Sequence, residues 1–370
     1  MRIGIDARVA RWNIGSGLEN YTSNIIKNLK NIDHKNEYIL FIPEKEENYG
    51  LFRSEKEEEV EKRNEFWKLM HEPFRKYNTE IDIFHNMSNG IDIPDHKNFK
   101  LIITVKDLIP YVMSENIEKL HLEYVLKHTS KVIEEADRII TASNHSKNEI
   151  SRYFDIPEEK INVIYDAPDE IFKPIEKKIS KKLIAKKYGI NNKFILFVGG
   201  ISPRKNIRRL IQAFSMIAHE FKEEYKLVIL GEYSENYACL NSLLEKLSLK
   251  EKIIFTGFVP KNVLPFFYNG CEVFVYPSLY EGFGLPPLEA AACGVPIITS
   301  KVTSMPEVMG ESCIYIDPYD VINIAQEIYD TVIDTKLGET LCIKSLAHSK
   351  KYSWKRASEE TLKVYNSLME

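Results

Sequence analysis

The 370-residue sequence lacks several features that would have pointed elsewhere. No apolar run reaches the roughly 18 residues that a membrane-spanning helix needs. There is no Asp-x-Asp triplet to carry a divalent metal, and no short internal repeat. Cysteine is scarce: Cys239, Cys271, Cys293, Cys313 and Cys342 all fall in the second half, without a C-x-x-C pair. Several lie inside apolar runs, which implies buried free thiols in a reducing compartment rather than a disulfide framework. The nine histidines offer no metal-site spacing, and His121 and His128 share an expected helix but stand two turns apart. Neither sign of charge dominates: the formal net charge is −4, so there is no global pull toward nucleic acid. Met1-Arg2-Ile3-Gly4-Ile5-Asp6 begins a strand at once and leaves no room for a signal peptide. The expected location is the cytoplasm, with peripheral contact at the inner membrane face left open and the oligomeric state unknown.

What is present is an ordinary globular composition, 44% hydrophobic and 28% charged, in a chain of two-domain length. Short β-rich runs occur at 2–6, 38–42, 81–85, 101–105, 138–142 and 161–164. A second series follows at 194–198, 226–230, 253–255, 273–276, 296–300 and 313–316. Helical patterns lie between them, as at 19–29 and 121–135. Strand–helix alternation predicts an α/β protein with parallel sheets covered on both faces, here two doubly wound, Rossmann-like domains. The boundary is expected within 172–193, giving domains over 1–175 and 176–353. That stretch carries eight lysines against one acid and reads as a solvated hinge helix. A second charge run, 55–62, reads as a solvated helical face. Trp67, Leu69, Met70 and Phe74 after it read as a core stripe, or as an amphipathic surface for membrane or acceptor. Residues 1–175 hold 25 basic and 32 acidic residues, the remainder 25 and 22, so an anionic ligand is better hosted by the second half. Ligands of open α/β sheets sit beyond the carboxyl ends of the strands, and the cleft between two such domains is the default site.

The most informative segment follows the expected strand 273–276. Tyr276-Pro277-Ser278-Leu279-Tyr280-Glu281-Gly282-Phe283-Gly284-Leu285-Pro286-Pro287-Leu288-Glu289 pairs a glycine loop with a proline-marked helix start. Loop and helix-end amides make a seat for phosphate or sugar oxygens, and Glu289 is expected in the first helical turn. Taken singly, Glu281 reads as a solvated loop acid and Glu289 as a surface acid favoured by the helix dipole. The block as a whole resembles the E-x7-E signature of the family-4 (group 1) retaining glycosyltransferases of GT-B fold. The resemblance implies that Glu281 approaches a donor sugar, that Glu289 holds ribose hydroxyls, and that amides around Gly282, Phe283, Gly284 and Leu285 contact sugar and diphosphate.

Gly199-Gly200-Ile201-Ser202-Pro203-Arg204-Lys205-Asn206 places two cations at a helix entrance, where they could neutralise a leaving diphosphate without a metal or other cofactor. The family often has an arginine where this chain has Ile201, so Arg204 must supply that charge beside Lys205. The segment 255–260, including Val259, resembles the loop whose backbone reads the nucleotide base. Thr303-Ser304-Met305-Pro306-Glu307 completes the family-like end without an assigned role. In the first half, Gly15 and Gly17 resemble a glycine loop over the diphosphate. His85 and the run Thr104-Val105-Lys106-Asp107-Leu108 resemble two strand ends bordering the sugar. Where the family usually has T-x-H-D-L, this chain has Lys106, a permanent cation. His85 is equally readable as a satisfied core histidine. A last helix over 354–370 is expected to return to the first domain.

The implied function is metal-independent transfer of a hexose from a nucleotide-diphosphate sugar to a glycan or lipid-linked glycan acceptor. GDP-mannose is favoured slightly over UDP-hexoses. A nucleotide-sugar epimerase, or a catalytically weak subunit that binds nucleotide sugar or glycan, are the competing readings.

Overall fold

The computed structural model describes residues 1–12, 16–42, 80–90, 93, 98–114, 119–231 and 237–369. Gly15, the run 55–62 and the residues Trp67, Leu69, Met70 and Phe74 lie outside them, as do the side chains of His121, His128 and Cys239. The chain divides into two compact units, Met1–Asp166 with Trp354–Glu370, and Ala167–Ser353.

The first unit is built on a six-stranded sheet: β1 (Arg2–Asp6), β2 (Glu37–Phe41), β3 (Ile83–Asn86), β4 (Lys100–Thr104), β5 (Arg138–Thr141) and β6 (Ile161–Val163). Their order is β2-β1-β3-β4-β5-β6, with every pairing parallel. Leu101, Ile102 and Ile103 in succession are buried, as a strand covered on both faces requires. The Ser16 hydroxyl caps helix Gly17–Ile32 by accepting the Glu19 N–H at 3.1 Å. The closing helix, Trp354–Ser367, buries Trp354, Ala357, Ser358, Thr361, Val364 and Tyr365, a stripe at helical spacing that packs on Gly17–Ile32.

The second unit repeats the plan with β7 (Lys193–Val198), β8 (Tyr225–Leu230), β9 (Ile253–Gly257), β10 (Val273–Tyr276), β11 (Ile297–Ser300) and β12 (Ile314–Ile316). Their order is β12-β11-β10-β7-β8-β9, again all parallel. All twelve expected strands form, with ends displaced by a residue or two. The lysine-rich helix is not a free hinge. Lys177–Tyr188 packs on Leu264–Gly270, and Lys177 and Lys181 hold Glu272 at 2.7 and 2.8 Å. Cys271, Cys293 and Cys313 are buried free thiols, and burial pushes the pKa of Cys271 up to about 12.

Each sheet has one point where strand order reverses: between β1 and β3 in the first unit, between β7 and β10 in the second. Loops leaving adjacent strands diverge there, which opens a crevice at the carboxyl edge.

Candidate functional site

In the second unit the reversal brings the loop after β7 against the loop after β10. The chain leaves β7 through Gly199 and Gly200, makes a 3-10 turn over Pro203–Lys205, and enters helix Ile207–Ile217 through Asn206 in the left-handed region (φ 59°). Asparagine tolerates that conformation better than most residues. Its buried Nδ2 donates to the carbonyls of Pro277 (3.0 Å) and Pro318 (2.7 Å), and the Leu279 N–H donates to the Arg204 carbonyl (2.8 Å). The two loops are therefore stitched together before any charged group meets.

The charged groups then converge on one atom. Glu281 Oε1 receives Arg204 Nη1 at 2.7 Å, Lys205 Nζ at 2.6 Å and the Tyr276 hydroxyl at 2.9 Å. Arg204 also donates to the Tyr280 carbonyl (2.6 Å), and Lys205 to the Tyr276 hydroxyl. Burial alone would raise the Glu281 pKa, but Lys205 and Arg204 overcome it and hold the carboxyl down at about 2. Glu281 is thus an anion at any physiological pH. The Tyr276 phenol moves the other way: burial first, then the Glu281 charge, raise its pKa well above the usual value, so it stays a donor.

The glycine loop is pinned from behind. Glu281 N–H donates to Thr303 Oγ1 (3.1 Å), and Ser304 Oγ donates to the carbonyls of Glu281 (2.8 Å) and Phe283 (3.2 Å). This gives Thr303 and Ser304 their role. Gly284, at φ 90°, caps helix Leu285–Cys293. The helix begins at Leu285, so Glu289 stands in its second turn, not the first. It is not a surface acid stabilised by the dipole. It is buried, accepts the Tyr268 hydroxyl at 2.8 Å, and burial raises its pKa to about 7, against the opposing effects of Tyr268 and Lys261. Gly282, Phe283 and Gly284 are buried, and Leu285 is partly so.

Further along the same edge, Gly231 follows β8. A Cβ there would lie 2.0 Å from the Gly199 carbonyl oxygen, so only glycine lets the two loops pass. Its N–H donates to the Gly257 carbonyl (3.1 Å) at the end of β9, and the buried Val259 follows two residues on. A Cβ at Gly200 or Gly17 would meet nothing within 4 Å.

The expected residues of the first unit have settings of their own within it. His85 is fully buried in β3, its Nδ1 2.7 Å from the Tyr365 hydroxyl and its Nε2 2.8 Å from Thr104 Oγ1. Burial, aided by Lys106, drives its pKa down to about 3, so the ring is neutral. Of the two readings open for His85, the geometry is that of a satisfied core histidine. Asp107 accepts the Ile109 N–H at 3.0 Å and starts helix Ile109–Val112. Lys106 is not an unbalanced cation: its Nζ lies 2.6 Å from Asp166 Oδ1. At the β1–β3 reversal, Arg8 grips both oxygens of Asp6 at 2.7 and 2.8 Å, with Asn86 and Ser88 donating to Oδ2.

Sequence reasoning quoted Tyr276 and Asn206 at the ends of motifs but gave them no role, and it did not single out Gly231 or Asp166. Their place at the motif ends was the available signal for Tyr276 and Asn206; Asp166 gave none.

Comparison with known proteins follows the same lines. Residues 180–342 match the family model "Glycosyl transferases group 1". The chain is 33% identical over 273 residues to O-antigen chain mannosyltransferase B of Escherichia coli, covering 74% of this chain and 72% of that one. The chain belongs to the group 1 glycosyl transferases. This glycosyltransferase is also 32% identical over 292 residues to the serotype-specific mannosyltransferase WbdA of Escherichia coli, but spans only 36% of that protein. Sucrose-phosphate synthase from Thermosynechococcus elongatus superposes with a TM-score of 0.79 at 18% identity, over 100% of this chain and 99% of that one. The fold is GT-B. Among the described residues no helix is long and apolar enough to cross a membrane.

Proposed function

We propose that this glycosyltransferase moves a hexose, with mannose from GDP-mannose favoured over UDP-hexoses, onto a glycan or lipid-linked glycan, with retention and without a metal ion. The observation that carries the reading is the convergence of Arg204, Lys205 and Tyr276 on Glu281 at the strand-order reversal of the second sheet. The mannosyl preference is supported by relatives named as mannosyltransferases, and the glycan acceptor by the O-antigen relative.

In this mechanism the diphosphate of the donor takes over the cations now held by Glu281. The bond from the anomeric carbon to the diphosphate breaks, and negative charge grows on the leaving phosphate. Arg204, Lys205 and the amides at Phe283, Gly284 and Leu285 stabilise it, at about 3–4 kcal/mol per well-placed donor. Glu281, released from the cations, orients the sugar, and Glu289 receives ribose hydroxyls. Gly200 and Val259 border the nucleotide through their backbone. Two fixed cations meeting the charge of the leaving group support the metal-free reading. Lys106, which stands where the family usually has a histidine, has its charge met by Asp166, which is compatible with an active transferase.

Calorimetric titration with GDP, UDP, ADP and dTDP, first without metal and then with magnesium, is the test. GDP should bind without metal and magnesium should add little. Binding only with magnesium overturns the role of the cation pair; binding of no diphosphate overturns the transfer reading. The anomeric configuration of the product, read by NMR, tests retention.

A further inference from the structure

In the first unit Lys106 occupies an unusual position. Its backbone N–H donates to Asn89 Oδ1 (2.8 Å) in the loop after β3, and its carbonyl accepts Ser146 Oγ (3.4 Å) from the helix after β5. Its side chain reaches Asp166, beyond β6, and lies across the ring of Tyr21, with Nζ 3.3 Å from the centroid. One residue thus ties the carboxyl-edge loops of β3, β4, β5 and β6 to the helix after β1.

One of these contacts, and a neighbour of another, mark the points where the chain leaves and re-enters the unit. Asp166 is its last residue before the chain enters the second unit, and Trp354 is the first after the chain returns. The Trp354 ring lies 6.1 Å from that of Tyr21. Both crossings therefore meet at one tyrosine, Trp354 by its ring and Asp166 through Lys106. Tyr21 is itself fixed from within, its hydroxyl 3.1 Å from Thr104 Oγ1, which continues to His85 and to Tyr365 of the last helix. A buried ion pair is a poor source of stability, because desolvating both charges offsets their attraction. In some proteins such a pair serves instead to select one arrangement of the segments it joins. Asp166 and Lys106 are 60 residues apart.

We propose that Lys106 is a positioning residue for transfer: paired with Asp166 over Tyr21, it holds the loop Val105–Leu108 and both chain crossings in one arrangement. The inference rests on the glycosyl-transfer reading. It assigns Lys106 no contact with donor or acceptor, and it separates turnover from nucleotide binding, which belongs to Arg204, Lys205 and the glycine loop of the other unit.

The test is steady-state transfer by the full chain, with diphosphate binding measured in parallel by calorimetry. Lys106→Met should lower kcat by ~30–100-fold, the scale of an ångström-level misplacement, with diphosphate Kd changed less than about twofold. Asp166→Asn should reproduce the loss, and the double variant should be no worse than the worse single one, since the two act as a unit. Lys106→Arg, which keeps a cation for both Asp166 and the Tyr21 ring, should recover most of the turnover. A kcat within about threefold of wild type in Lys106→Met, a matching rise in donor KM, or additive losses in the double variant would each overturn the proposal. Should Lys106→Met fail to fold, Tyr21→Leu carries the test, with the same kcat-selective loss expected and unchanged kcat overturning it. A wild-type chain that binds no nucleoside diphosphate overturns the transfer reading itself. A wild-type chain that transfers normally while these variants do too overturns only the role of Lys106.

Discussion

Both sheets place a carboxylate and a guanidinium at the point where strand order reverses, yet the two clusters are built differently. In the first unit Arg8 meets Asp6 through both oxygens, with Asn86 and Ser88 closing the carboxylate, and both charged side chains are 0% exposed. In the second unit two cations and a phenol crowd a single oxygen of Glu281, and the side chains keep a little solvent access: 16% for Arg204, 12% for Lys205 and 10% for Glu281. A fork-to-fork pair sealed from water is already matched in geometry and charge. Donors stacked on one oxygen within reach of solvent can be passed to another oxyanion. Position in the fold marks both places; the pairing geometry distinguishes the one that holds the unit together from the one suited to bind.

The sealed cluster should show the largest effect. Asp6→Ala takes the bidentate partner from a fully buried guanidinium and should destabilise the protein by about 3–5 kcal/mol, measured by urea unfolding, with little change in diphosphate affinity. If instead affinity collapses and stability does not, the contrast between the clusters is wrong. Lys205→Ala should reverse the balance: kcat falls by ~10²–10³, or about 3–4 kcal/mol, while unfolding stability falls less than in Asp6→Ala, because Arg204 still meets Glu281. An intact kcat would remove Lys205 from the mechanism.

Much of this was legible in the sequence, because the second unit's site is written in contiguous segments. The loop 277–289 carries its own glycines, prolines and acids, and the cation turn follows its strand directly. What escaped was pairing across distance. Tyr276 lies 71 residues from Lys205, and only the pairing of β7 with β10 brings the phenol to the ammonium. Lys106 was visible as an odd cation, but Asp166 was one aspartate among many until β4 and β6 were placed. Glu289 was misjudged by one helical turn, because the paired prolines did not locate the helix start at Leu285 closely enough. That turn matters: the first turn favours an ionised acid, whereas this buried position penalises it. The lysine run misled for a related reason, since the partner of Lys177 and Lys181, Glu272, lies about 90 residues on.

The two glutamates sharpen the comparison within the second unit itself. The folded-state pKa of Glu289, about 7, lies above its ordinary 4.5, so the folded chain keeps a proton that the unfolded chain has lost. The carboxylate therefore costs stability increasingly as pH rises from 4.5 to 7, and the cost is constant above that. Glu289→Gln should stabilise the protein by about 3 kcal/mol at pH 8 and by little at pH 4.5, as unfolding at the two pH values would show. Donor affinity should move the opposite way. The carboxylate is the better acceptor for ribose hydroxyls, so wild-type affinity rises as pH passes through 7, and the Gln variant loses that dependence. Glu281, held near 2, contributes stability that is present above 4.5 and lost as pH falls toward 2. Equal pH profiles for Glu289→Gln and wild type would show that burial does not set the Glu289 proton.

The smallest effect is expected at Tyr276, and it decides what holds the open cluster together. Its hydroxyl donates to Glu281 at 2.9 Å and accepts from Lys205, while its ring stacks between those of Phe197 and Phe274. Tyr276→Phe removes the hydroxyl and keeps the packing. Glu281 Oε1 still has Arg204 and Lys205, so no buried charge is stranded, and the loss should be that of one ordinary hydrogen bond, about 1 kcal/mol in unfolding free energy. Turnover should fall by only ~3–5-fold, because the cations proposed to meet the leaving phosphate remain. A loss as deep as that of Lys205→Ala would mean that the phenol, rather than the carboxylate, aims the lysine. The second cluster would then be as rigid as the first, and the exchange of Glu281 for a diphosphate would have to begin with Tyr276.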